Sequence, residues 1–236
     1  MLDGLQTLLH ALPREAPRSA YNAAIVDNNL LGKRTVSTRR LTAQRLSELY
    51  GLDPSVPLFR FLRLYWPDGR RGNELLALLL ALARDPLLRA TADCVLQTRP
   101  GEEFARPAVT EALHRLAGGR LSDGTLDKVV RNAASTWTQS GHLRGRVRKV
   151  RQVVSAAPAS AAFALLLGYA VGIRGEGLLR STWMRVLDVS AEDALALCAD
   201  AKRLGLVGMS YGGGLVDVSF STILTEKEKE LFRGTC

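Results

Sequence analysis

The stretch Leu143-Arg144-Gly145-Arg146-Val147-Arg148-Lys149-Val150-Arg151 decides how this chain reads. Five of the eight residues from Arg144 to Arg151 are cationic, with Val147 and Val150 interleaved. A strand sends successive side chains to opposite faces, so this pattern puts apolar residues on a core and charge toward solvent. Such a comb of fixed positive charge suits a phosphate backbone, whose binding draws on counterion release. A helix-like segment ending at Gly141 comes directly before it. Helix followed by basic hairpin, over 142–155, is the order of a winged helix with a basic wing.

That preceding segment, 123–140, opens at Ser122 or Asp123, either of which can cap it. Leu126, Val129, Val130, Ala133 and Trp137 recur at spacings of three and four and are expected on the core. Lys128, Arg131 and Asn132 fall on other faces, and such residues read base edges from recognition helices. An ordinary amphipathic helix with a polar outer face has the same pattern. The wing directly after it favours nucleic acid.

A second basic cluster is Lys33-Arg34-Thr35-Val36-Ser37-Thr38-Arg39-Arg40. Ser37 is a suitable N-cap for a helix over 38–50, stopped by Gly51. Four cations at a helix start oppose the macrodipole, each at a cost of roughly 0.3–1 kcal/mol. A phosphate bound there would reverse that sign, accepting from Ser37 or Thr38, free amides and a guanidinium. The plain alternative is a solvated turn with Arg40 or Arg45 paired to Glu48.

Between these clusters the sequence predicts short helices: 19–29 before the turn at Gly32, 58–66, 74–84 capped by Asn73, 86–96 from Pro86, and 107–117. Pro67-Asp68-Gly69 reads as a turn. The segment 74–84 is apolar almost all round and therefore central.

Residues 158–236 hold 8 Lys and Arg against 9 Asp and Glu, whereas 24 against 14 fall in residues 1–157. The whole net charge of +9 thus comes from the first part. The last part repeats an order of helices (163–171, 176–187 and 191–204) and a hairpin around Tyr211-Gly212-Gly213-Gly214, with Ser190 and Asp193 as a capping box. Its hairpin carries Asp217 and no cation, so it is expected to pack on the chain or meet a protein. A polar helix at 225–233 is expected to fray. The domains predicted are 1–157, basic, with a winged-helix-like unit at about 106–155, and 158–236, near neutral.

Other classes find little footing. Cys94, Cys198 and Cys236 are isolated, which argues against disulfide scaffold and zinc site and fits a reducing cytosol. Residues 1–18 lack a basic start and long apolar run, so no signal peptide is expected. The apolar runs 75–83 and 161–173 are short of the ~20 residues a membrane helix needs. His10, His114 and His142 stand apart from any nucleophile motif, and no P-loop follows the glycines at 212–214. No catalytic residue, metal or cofactor is expected.

The run Asp27-Asn28-Asn29-Leu30-Leu31-Gly32-Lys33-Arg34-Thr35-Val36-Ser37-Thr38-Arg39-Arg40, with Arg45-Leu46 after it, resembles the opening of the BrxA family. These are small accessory proteins of BREX phage-defence systems. The apolar helix at 75–83, the segment 108–117, then Leu121-Ser122-Asp123-Gly124-Thr125-Leu126-Asp127-Lys128 and Ser140-Gly141-His142-Leu143 continue the similarity, which covers roughly 20–155. The resemblance implies a non-enzymatic, mainly helical DNA-binding component working beside a methyltransferase and other defence proteins.

The expectation is therefore a cytoplasmic, mainly α helical bundle with winged-helix-like units that carry small β-hairpins. Its partner is expected to be double-stranded DNA, held by Lys33, Arg34, Ser37, Thr38, Arg39 and Arg40 on one stretch. Arg144, Arg146, Arg148, Lys149 and Arg151 hold another, with Lys128, Arg131 and Asn132 facing a groove. Two alternatives remain: a scaffold docking its basic face on an acidic subunit, and an RNA-binding protein. Aromatics make up only 6% of the chain and form no stacking platform, which favours duplex DNA over RNA.

Overall fold

The computed structural model describes residues 1–66, 72–212 and 215–233. The turn expected at Pro67-Asp68-Gly69 and the hairpin tip at Gly213-Gly214 lie outside them. The described chain is mainly helical with two small antiparallel hairpins.

The first helices are α1 (Leu2–Ala11), α2 (Arg18–Val26) and α3 (Val36–Tyr50). The cap of α3 is Thr35 rather than Ser37: the Thr35 hydroxyl accepts from the Thr38 amide at 3.1 Å. Both residues satisfy the local requirement, and the earlier one adds two residues to the helix. At its other end Gly51 takes φ 95°, a left-handed stop.

After α4 (Pro57–Tyr65) comes α5 (Asn73–Arg84), buried from Leu75 to Leu82. The helix expected from Pro86 is broken in two, α6 (Pro86–Ala90) and α7 (Ala92–Leu96). Thr91 sits at the break, fully buried, donating to the Leu88 carbonyl at 2.7 Å and accepting from the Trp137 indole at 2.8 Å. A hydroxyl that bonds its own backbone competes with helix continuation.

Next are α8 (Arg106–Ala117), α9 (Asp123–Gln139), and the strands β1 (Leu143–Arg144) and β2 (Val150–Arg151). The C-terminal part holds α10 (Pro158–Ala170), a 3-10 turn Gly175–Leu178, α11 (Thr182–Arg185) and α12 (Ala191–Arg203). It ends with β3 (Gly208–Gly212), β4 (Leu215–Ser219) and α13 (Glu226–Arg233). The single helix expected over 176–187 is interrupted at Ser181, which donates to the Leu178 carbonyl and caps α11. At Ser190 the hydroxyl accepts from the Asp193 amide and bonds the Asp193 carboxylate, so one half of the expected capping box forms.

The apolar core runs unbroken across residues 157 and 158, where the sequence suggested a domain boundary. The reason is α10, buried from Ser160 to Gly168. A helix apolar on every side must be covered on every side. Here α4 and α5 cover it from the first part, α11 and α12 from the second.

The last helix is docked where fraying was expected. Arg60 grips Glu228 with two hydrogen bonds, Nε to Oε1 at 3.0 Å and the second nitrogen to Oε2. Phe232 reaches Phe61, with ring centroids 6.4 Å apart. Burial alone would raise the Glu228 carboxyl, but hydrogen bonds from Arg60 and Thr225 outweigh it and hold the group below the usual carboxylate range.

Candidate nucleic-acid interface

Ser122 caps α9 as expected, and its core face carries Leu126, Val130, Ala133, Ala134 and Trp137, with Val129 half-buried. Lys128, Arg131 and Asn132 are exposed. Gly118 and Gly119 both take positive φ, turning the chain from α8 so that the two helices pack together.

The wing follows. Leu143 pairs with Arg151 and Arg144 with Val150, and Gly145 through Arg148 form an exposed loop between them. Gly145 has φ +120°, and a β-carbon there would overlap the Arg148 carbonyl oxygen. Only glycine closes this loop. The segment 101–104 runs along the other edge of β2: Phe104 donates its amide to the Lys149 carbonyl at 2.8 Å and Arg151 to that of Glu102 at 2.9 Å. Two-residue strands defeat strict alternation, so Val147, expected on the core, is 92% exposed at the loop.

Arg151 leaves the expected binding set. It is 3% exposed and its guanidinium meets both oxygens of Asp188, one at 2.9 Å, while Nε donates to the Val95 carbonyl at 3.0 Å. A buried arginine must be paired, and this one is spent inside. Arg148 pairs loosely with Glu103 at 3.4 Å while remaining well exposed. Lys149 donates to Thr138 of α9 at 2.7 Å and to the Gly145 carbonyl, holding the loop against the helix. Among the described residues, Arg144 and Arg146 are exposed and make no ion pair.

His142, just before β1, is fully buried. Its ring nitrogens meet the Ser140 hydroxyl at 2.9 Å and the Val186 carbonyl at 2.8 Å, and its ring stands edge-on to Trp137. Burial lowers its pKa to about 4 against the bond to Val186, so the ring is neutral near pH 7. Both nitrogens are occupied by structure.

The upstream cluster is mixed. Arg34, Ser37, Thr38 and Arg40 are exposed, Lys33 and Arg39 half-buried. Arg39 donates to the Val26 and Lys33 carbonyls, each at 3.3 Å, which fixes it without an ion pair among the described residues. Glu48 accepts from Gln44, and among the described residues neither Arg40 nor Arg45 pairs with it. Arg40 instead lines, with Arg18, a cleft of about 750 Å³ between α2 and α3.

The N-terminus lies beside the end of α9. Gln139 at the end of α9 accepts from the Met1 ammonium at 3.0 Å and from the Leu2 backbone amide at 3.1 Å. Lys33 lies within Coulombic reach of the Met1 ammonium, and Thr138, beside Gln139, holds Lys149. Sequence reading missed Arg106, which pairs with Asp127, itself paired with Arg131 at 3.1 Å. Its place on α8 gave no signal, since the partner is on α9.

Among the described residues there is no group of three His, Cys, Asp or Glu placed to hold a metal, and no helix long and apolar enough to cross a membrane. No protein-family model, curated protein or solved structure matches the chain.

Proposed function

We propose that this chain is a non-enzymatic, double-stranded DNA-binding protein that grips phosphate through a winged-helix-like unit. The observation that carries this reading is the alignment of 102–104 along β2, which in turn lies along β1. Helix α7, that bridged segment, α8, α9 and a two-stranded wing then follow in winged-helix order. In this reading α9 is the recognition helix, presenting Lys128 and Asn132, and Arg144 and Arg146 reach a flanking backbone from the wing. The cluster from Lys33 to Arg40 extends the grip. Membership of a BREX-type defence complex, beside a methyltransferase, rests on the sequence resemblance to the BrxA family.

The test is an anisotropy titration with a short duplex across salt concentrations, with structured RNA as competitor. Affinity should fall steeply with salt, because phosphate contacts release counterions. A flat response, or equal affinity in an Arg144→Ala/Arg146→Ala variant, defeats the reading. Preference for the RNA would move the function to that ligand.

A specific feature supports a second role for the C-terminal part, as a protein-docking unit. Strand β3 is exposed along nearly all its length, Tyr211 and Leu204 are 62% and 65% exposed, and the described hairpin carries Asp217 but no cation. Substituting Tyr211 and Leu204 by Ser should leave duplex affinity unchanged and abolish co-purification with a partner.

A further inference from the structure

The outward face of α9 carries its own counter-charge. One oxygen of Asp127 accepts from Arg106, across the packing of α8 on α9, and the other forms an ion pair with Arg131 Nε, one turn along, at 3.1 Å. All three side chains are at least half exposed, at 50%, 53% and 61% for Asp127, Arg106 and Arg131. Exposed ion pairs contribute little to stability, since water screens them and ordering two long side chains opposes them. One carboxylate holding two guanidinium groups is therefore poorly accounted for as reinforcement of the fold. Its effect on a polyanion is larger. Three charges in contact present a net +1 where the two arginines alone would present +2, and the guanidinium nitrogens facing Asp127 are occupied.

Asp123, one turn earlier on the same helix, is exposed and makes no ion pair among the described residues. The two acidic residues of α9 thus differ in what they hold, not in kind.

We propose that Asp127 is a built-in attenuator of the DNA-facing surface: it withholds Arg106 and Arg131 from phosphate and so keeps the salt-dependent, sequence-independent grip weak. This rests on the duplex-binding reading above. Non-specific affinity comes almost wholly from such phosphate contacts, so two arginines held back weaken every site alike and leave base contacts by Lys128 and Asn132 to discriminate.

The test uses the full chain with Asp127→Asn, which keeps size and an acceptor oxygen, and Asp123→Asn as the matched loss of one negative charge. Each is run on heparin and titrated with a random-sequence duplex. Asp127→Asn should elute from heparin at higher salt than both wild type and Asp123→Asn. Its duplex affinity should rise about 3- to 10-fold at low salt, with a log–log salt slope steeper by up to about 1.8, the equivalent of two phosphates. Adding Arg106→Ala and Arg131→Ala should erase both gains. The proposal is overturned if Asp127→Asn and Asp123→Asn behave alike on heparin, or if the gain survives loss of the arginines. Weaker duplex binding with a lowered Tm would overturn it too, since that marks Asp127 as a strut between α8 and α9. A wild type that ignores duplex DNA while Asp127→Asn still shifts on heparin would refute the DNA reading and leave the restraint on the two arginines standing.

Discussion

Arg151 and Asp188, 37 residues apart, form a buried two-pronged ion pair that fastens the basic hairpin to the C-terminal part of the chain. Asp188 also accepts from the Val154 amide and takes a left-handed φ of 54°. Asparagine tolerates that backbone, so Asp188→Asn isolates the charge. It should destabilise the protein by about 3–5 kcal/mol, because a buried guanidinium is left uncompensated. Urea unfolding checks this, and a shift under about 1 kcal/mol, the range of exposed pairs, would show that the pair is solvated.

Arg144→Ala/Arg146→Ala should behave in the opposite way. Both residues are exposed and unpaired among the described residues, so stability should stay within about 0.5 kcal/mol of wild type. The salt slope of duplex binding should become shallower by up to about 1.8. Thermal unfolding and the anisotropy titration together separate a wing that binds from one that only solvates.

His142 gives the fold an acid sensitivity. Its folded pKa of about 4 lies below the ordinary 6.5, chiefly through burial. The unfolded chain therefore takes up a proton first as pH falls. Stability contributed by the neutral ring is complete above pH 6.5 and is lost on the way to pH 4, by about 3 kcal/mol. His142→Gln should flatten unfolding free energy across that window, whatever it does to stability at pH 8.

Glu228 acts at lower pH. Its folded pKa is below the ordinary 4.5, so its contribution is full above that value and disappears as pH falls through the lowered one. Glu228→Gln should remove this acid loss while loosening α13. Hydrogen exchange along 226–233 should then rise without global unfolding.

Local signals in the sequence located most elements. Ser122 before an apolar periodicity, Gly51 and Gly141 after one, and the unbroken apolar run of α5 each act within a turn or two. What escaped was set by distant partners. The break at Thr91 needs the Trp137 indole, 46 residues on. Arg151 reads as one more cation of the comb because Asp188 has no local mark. Arg106 and Arg131 are tempered by a carboxylate whose relevance appears only when α8 meets α9. Thr35 and Ser37 are equally good caps, and the choice between them depends on how the chain leaves Gly32. Charge composition located the basic part of the chain, and folding decided which of its charges remain on offer.

The seamless interior around α10 bears on how the molecule can be divided. A chain cut between residues 152 and 157 would strip α4 and α5 of their cover and take Asp188 and Val186 away from the basic hairpin. Both pieces would then carry raw oily surface. Any attempt to isolate the basic part alone should meet insolubility first, and the near-neutral last third will have to travel with it.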